Sequence, residues 1–294
     1  MKAKIIILTP VFNDWKNLTK LLARINIIFR KKLKKKFDLV VVNDCSTENF
    51  NYKKLKNGKI DKLTVISLLK NVGSQRSLAI GIRHIKKIYK KNYKIIVIDS
   101  DGQDNPSGIK KLLKANYKKK NSVVVNRGQR KEPFWFKFFY EFYSILIVIF
   151  VAKKIRFGNY CLLNSNDVEK IFNKTDLWSA FPPTLLMNIK NISSITLDRE
   201  KRFTGKSKMN FAGLLFHAFK VFSVFRNRIL ISSILYTFIF YHFFKAVDNL
   251  KIFLFIILGL VIFNMTNFFL AMVAKRFLKK FLTNFRIKTI NYNR

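Results

Sequence analysis

The chain is predicted to fold as an α/β domain on a mostly parallel sheet, and three features carry that prediction. Apolar runs of strand length recur at 5–8, 39–42, 65–69, 95–98 and 123–125. Helical periodicity fills the intervals between them. Each run is continuous rather than alternating, as in strands covered on both faces.

Ile5 to Leu8, followed by Thr9-Pro10, reads as the first strand, because it is too short for a signal-peptide core. Leu18, Leu21, Leu22, Ile25, Ile28 and Phe29 mark the apolar face of a first helix. Leu78, Ile82, Ile85 and Tyr89 mark a second. Asn105-Pro106 predicts an N-cap with proline at the first helical position, and Ile109, Leu112 and Leu113 form the inner face of that third helix. Ligands of such sheets bind beyond the carboxyl ends of the strands, which is where the polar clusters of this chain fall.

The second half changes character. Residues 134–152, FWFKFFYEFYSILIVIFVA, predict a helix lying in a membrane interface, with a buried core helix as the alternative, and 208–225 read similarly. Two uncharged stretches follow, and they predict a transmembrane hairpin over 229–245 and 252–274. The uncharged core of the first covers only 229–244, about 24 Å as a helix against a bilayer core of roughly 30 Å. Arg228 and Lys245 could reach across the difference; a surface or re-entrant helix is the alternative. Residues 277–294 read as a basic tail, placed on the cytoplasmic side with the 1–225 domain by the positive-inside rule.

Lys and Arg number 57 against 16 Asp and Glu, a net charge of +41. That balance suits phosphate-bearing partners, although a general lysine bias would produce it too. The two cysteines, Cys45 and Cys161, have no metal-ligand spacing.

Against this background KIIVIDSDGQDNP, residues 94–106, stands out. Asp99, Asp101 and Asp104 fall within six residues at the end of an apolar strand. Asp99 and Asp101 are two positions apart and can face one way where the chain leaves the sheet. Such a pair suits a hard divalent cation, Mg²⁺ or Mn²⁺, whose shell a diphosphate completes, with Gln103 and Asp104 as further oxygen donors. Four other clusters sit at strand ends or loops. Asn43-Asp44 could accept from a base or ribose, or simply form a turn. Asn71 to Arg76, with Gly73, could bring helix-end N–H groups to phosphate, or join a loop to a helix. Asn126 to Arg130, and Arg202 to Lys208, offer forked cations to phosphate oxygens, or are solvated charge.

The motifs in order resemble family 2 glycosyltransferases of the GT-A fold, and within them the polyprenyl-phosphate branch typified by dolichol-phosphate mannose synthase. TPVFND, VVNDCSTEN, NVGSQRSLAIGI, DSDGQDNP, GNYCLLN and RFTGKSKM match successive family blocks over roughly residues 4–225. The resemblance implies that Pro10, Asn13 and Asp44 hold the nucleotide, with Asn71 and Gly73 beside it. It implies that Asp99, Asp101 and Gln103 bind metal and donor diphosphate. Arg127, Arg130 and Lys137 would gather phosphate, and Arg202, Ser207 and Lys208 would close over donor and acceptor. Asn43 replaces a usual Asp, Asp14 a usual Glu and Cys45 a usual Gly, the last mattering only if that backbone needs a positive φ. Residues 177–189, which often shape the sugar pocket, match poorly.

The expected reaction is inverting transfer of a sugar from a nucleotide-diphosphate-sugar to polyprenyl phosphate at a bacterial cytoplasmic membrane. A homo-oligomer is compatible with this and nucleic acid is not an expected partner. The rivals are transfer to another membrane lipid, a processive polysaccharide synthase, whose usual Q-x-x-R-W motif does not occur here, and a non-catalytic nucleotide-sugar-binding scaffold.

Overall fold

The computed structural model describes residues 3–128, 134–205, 211–247, 249–284 and 287–292. Its centre is an eight-stranded sheet ordered β7-β5-β6-β4-β1-β2-β3-β8. The five strands expected from the apolar runs are β1 (Lys4–Val11), β2 (Phe37–Asn43), β3 (Ile60–Leu68), β4 (Tyr93–Val97) and β5 (Ser122–Arg127). β1 pairs in parallel with β2 and β4, and β2 with β3. Every residue of β2 is buried, which explains why its sequence lacks a polar alternation.

Helices cover both faces. α1 (Trp15–Ile27) continues as a π-helical turn to Leu33 and shares one face with α3 (Gly108–Lys119). Their Leu18, Leu21, Leu22, Ile25, Ile109 and Leu112 pack on Ile7, Val41 and Ile96. α2 (Ser74–Ile88), α5 (Ser165–Ile171) and α6 (Phe181–Asn188) cover the other face through Leu78, Ile82, Ile171 and Phe181. α3 begins later than expected: Asn105 does not cap it but accepts from the Ser107 N–H at 2.8 Å in the turn ahead of it.

Two further strands complete the site end. After β5 the chain forms α4 (Phe134–Val151) and re-enters the sheet from the end it left, so β6 (Phe157–Asn164) runs antiparallel to β4 and β5. Its first residues therefore lie beside the carboxyl ends of the parallel strands. β7 (Ile192–Leu197) pairs in parallel with β5 and ends at the same side.

The apolar second half forms α7 (Phe211–Val224), α8 (Arg226–Ala246) and α9 (Leu250–Asn284). α8 and α9 are long and apolar enough to cross a membrane. At 21 residues, α8 reaches about 31 Å, because it includes charged Arg226 and Arg228 beyond the uncharged stretch. Asn264 Nδ2 donates to Ser233 Oγ between the two helices at 2.9 Å. Ile231, Phe238, Phe255 and Met265 are among many apolar side chains they leave exposed. α4 and α7 pack against their base, with Tyr143 edge-on to Phe222 and Phe150 edge-on to Tyr236.

The described part of the segment expected as a basic tail packs on the domain. α9 runs ten residues past 274, and Leu278 and Phe281 are buried against the domain, where Trp178 packs on the Phe281 ring at 4.9 Å. β8 (Ile287–Tyr292) then pairs antiparallel with β3. Its backbone groups satisfy an otherwise open sheet edge, and Asn291 accepts the buried Thr64 hydroxyl at 2.7 Å. The hairpin thus leaves and rejoins one body.

Candidate active site

The carboxyl ends of β1 to β5 and β7, with the start of β6, converge on one cleft. Its floor is the loop after β4. Asp99 and Asp101 are both partly buried in it, with the Asp101 carboxylate accepting from the Gln103 N–H at 3.0 Å. Asp104 turns inward so that its Oδ2 accepts from the Asp99 N–H at 3.3 Å. Gly102, between them, has φ +81, and a β-carbon there would stand 2.3 Å from the Phe203 ring.

Crowding three carboxyls at one strand end is electrostatically costly. Burial, then the Asp101 charge, pushes Asp99 above the usual carboxylate range. Burial, then the Asp99 charge, pushes Asp104 up to about 7. Arg127 and Arg199 oppose the shift of Asp99, and Arg199 also that of Asp104. Arg127 ends β5, and a β-carbon on Gly158 would meet its guanidinium at 2.5 Å, so the missing side chain makes room for the arginine.

The loop after β7 lies over the acids. Glu200 N donates to Gln103 O at 2.9 Å and Phe203 N to Asp101 O at 3.3 Å. Arg24 from α1 clamps Glu200 with two bonds of 2.6 and 2.9 Å. Thr204 donates to Asn17 at 2.6 Å. Arg202 donates to Asp14 at 2.7 Å, and its other terminal nitrogen stands 3.8 Å from Asp101.

Among the described residues no three His, Cys, Asp or Glu side chains group as a complete metal site. The donor set that is present, carboxylate oxygens crowded at one point, suits a hard divalent cation held by Asp99 and Asp101, whose remaining positions water and a diphosphate would fill.

The family profile for glycosyl transferase family 2 matches residues 6–174. The chain belongs to that family. An uncharacterised glycosyltransferase of Synechocystis sp. is 26% identical over 231 residues, 72% of this chain and 66% of that relative. The chain therefore aligns with just under two thirds of that relative's length. Among solved structures, a Mycobacterium tuberculosis glucosyl-3-phosphoglycerate synthase with Mn²⁺, UDP-glucose and phosphoglyceric acid superposes at TM-score 0.52. It shares 12% identity, over 77% of this chain and 80% of that one. A Rubrobacter xylanophilus mannosyl-3-phosphoglycerate synthase gives TM-score 0.52 at 11% identity, over 77% and 74%. At such identities these show the fold alone, a GT-A-like α/β fold.

In this family 2 chain the structure brings Asp99, Asp101, Gln103, Arg127 and Arg202 together. The three residues expected at the nucleotide, Asp44, Asn13 and Pro10, have these surroundings. Asp44 is buried, and its two oxygens accept from the N–H groups of Val72 and Gly73 at 2.7 and 2.9 Å. It holds the loop of Asn71 and Gly73 in place. Asn13, at φ +47, spends its side chain on Thr47 and Glu48. Pro10 is buried within β1. Asn71 is exposed. Cys45, standing where relatives carry glycine, does have a positive φ, +61. Arg130, Ser207 and Lys208 lie outside the described residues, as does the side chain of Lys137 on α4.

Sequence reasoning did not single out Arg199, and it gave no role of their own to Gln75 and Asn159, although NVGSQRSLAIGI and GNYCLLN contain them. Asn159 Nδ2 donates to both Asp99 oxygens at 3.1 and 3.4 Å. Arg199 follows β7 by two residues, and its position next to a strand end was the one signal that could have found it.

Proposed function

We propose that this chain transfers a sugar from a nucleotide-diphosphate-sugar to a polyprenyl phosphate, such as undecaprenyl phosphate, at the cytoplasmic face of a membrane, with inversion. One observation carries the reading: an acid loop flanked by Arg127, Arg199 and Arg202 opens on a body rooted in two long apolar helices. A divalent cation bound at Asp99 and Asp101 would neutralise the departing diphosphate.

The protein's own residues then have two tasks. A lipid phosphate is already largely anionic near neutral pH, since its second pKa is about 6, so no strong general base is needed. Two anions must instead be brought together, and the arginines offset their repulsion and align the attack. The loop carrying Glu200, Arg202 and Phe203 covers the acids and excludes water from the donor. α4 and α7, with Phe139, Phe142, Phe211 and Phe216 exposed, suit a resting place at headgroup depth, level with the acceptor phosphate.

The test is mass spectrometry of lipid products after offering the purified full chain UDP- and GDP-sugars with undecaprenyl phosphate. A glycosylated polyprenyl phosphate, lost in Asp99→Asn and Asp101→Asn, is the expected result. Sugar appearing on a glycerolipid instead, or no product from any donor, overturns the reading.

A further inference from the structure

Behind Asp99 a line of hydrogen bonds runs across three elements. The Phe181 N–H, at the start of α6, donates to Gln75 Oε1 at 2.7 Å. Gln75 Nε2, in the first turn of α2, donates to Asn159 Oδ1 in β6 at 3.0 Å. Asn159 Nδ2 donates to Asp99. The direction of the line is dictated from its ends. A backbone N–H can only donate, so Gln75 must turn its oxygen to Phe181 and its NH₂ to Asn159. Asn159 must then present its NH₂ to Asp99, and the line ends on a group that can only accept when ionised.

We propose that Gln75 and Asn159 are positioning residues that set the orientation of the Asp99 carboxylate for a divalent cation, relaying it from the α6 backbone. This rests on the reading of Asp99 as a metal ligand. Partners that hold a ligating carboxylate in this way sustain metal affinity, and their loss typically weakens it roughly 10–100-fold. The relay also ties the acid loop to the ground on which the hairpin stands. Arg76, next to Gln75, lies 3.9 Å from the Phe277 ring centroid of α9. Trp178, three residues before Phe181, packs on Phe277 and Phe281.

Gln75→Glu separates this role from simple packing. Glutamate keeps the shape and still accepts from Phe181, but it cannot donate to Asn159. Asn159 would then turn its NH₂ toward residue 75 and its oxygen toward Asp99, replacing attraction with repulsion. The experiment titrates Mn²⁺ into the detergent-solubilised full chain, with UDP in one series and GDP in another, counting free ion by electron paramagnetic resonance. Melting temperatures are recorded without metal. Gln75→Glu and Asn159→Ala should each weaken Mn²⁺ binding roughly 10–100-fold, and Asp101→Asn should do so at least as strongly. Unchanged affinity in both relay variants, with Asp101→Asn impaired, overturns the relay and leaves the metal site standing. Unchanged affinity in Asp101→Asn overturns the metal site, and the relay with it. If Asn159→Ala fails to fold, Gln75→Glu, which lies outside the acid cluster, decides.

Discussion

Arg202 donates to Asp14 at 2.7 Å across 188 positions of chain, joining the loop after β7 to the start of α1. Its other arm stands 3.8 Å from Asp101. One guanidinium thereby spans the rim of the cleft and its acid floor. Lysine has a single point charge and cannot fork in this way. Arg202→Lys is expected to lower kcat/KM roughly ten- to hundredfold, read from initial rates at varied donor concentration, with little change in melting temperature.

Gly102 is held at φ +81 beneath Phe203. Gly102→Ala would drive a β-carbon into that ring and lift the covering loop from the acids. Turnover should fall at least about tenfold, and proteolysis within 198–205 should quicken, because a small displacement of positioning groups is expensive in rate. Normal turnover would show that the loop need not lie on the acids.

Asp44 supplies both oxygens to the Val72 and Gly73 N–H groups. Asn offers one oxygen, so Asp44→Asn leaves one N–H facing another donor, a loss of about 1–3 kcal/mol measurable by urea unfolding. The pH dependence has a definite sign. Burial raises the folded Asp44 above its ordinary 3.8, so its contribution to stability is full below that value and declines as pH rises through the raised one. Wild type should show this downward slope and Asp44→Asn a shallower one, because the raised Asp99 and Asp104 still contribute theirs.

Cys45 adopts φ +61 at the turn after β2. A non-glycine residue pays about 1–2 kcal/mol there, against roughly 0.5–1 kcal/mol of extra chain entropy that glycine would lose on folding. Cys45→Gly is expected to stabilise by about 0.5–1 kcal/mol, seen as a rise in melting temperature of about 2 °C.

These variants show where the sequence was readable. The strands β1 to β5 announced themselves because burial on both faces leaves an unbroken apolar run. The acid loop was visible because Asp99, Asp101 and Asp104 are rare residues crowded together in a basic chain. Asp44 stood out as a carboxylate at the end of an apolar strand, but its backbone N–H partners lie 28 and 29 positions away, which no local pattern encodes. Gln75 and Asn159 fall inside family blocks, but as neutral amides 84 positions apart nothing in the sequence marks them as partners. In the last residues the abundance of Lys and Arg drew attention from Ile287, Ile290 and Tyr292, whose strand is specified by the open edge of β3 rather than by its own composition.

Because β8 follows the hairpin in sequence, the ribosome makes the sheet's final strand only after both long helices. Until then the growing protein carries β3 with one side of its backbone unclaimed, a template for unwanted pairing with neighbours. Completion of the sheet is thereby chained to the two long helices: a helix pair displaced from the domain would carry the closing strand away with it, and the sheet would stay one strand short.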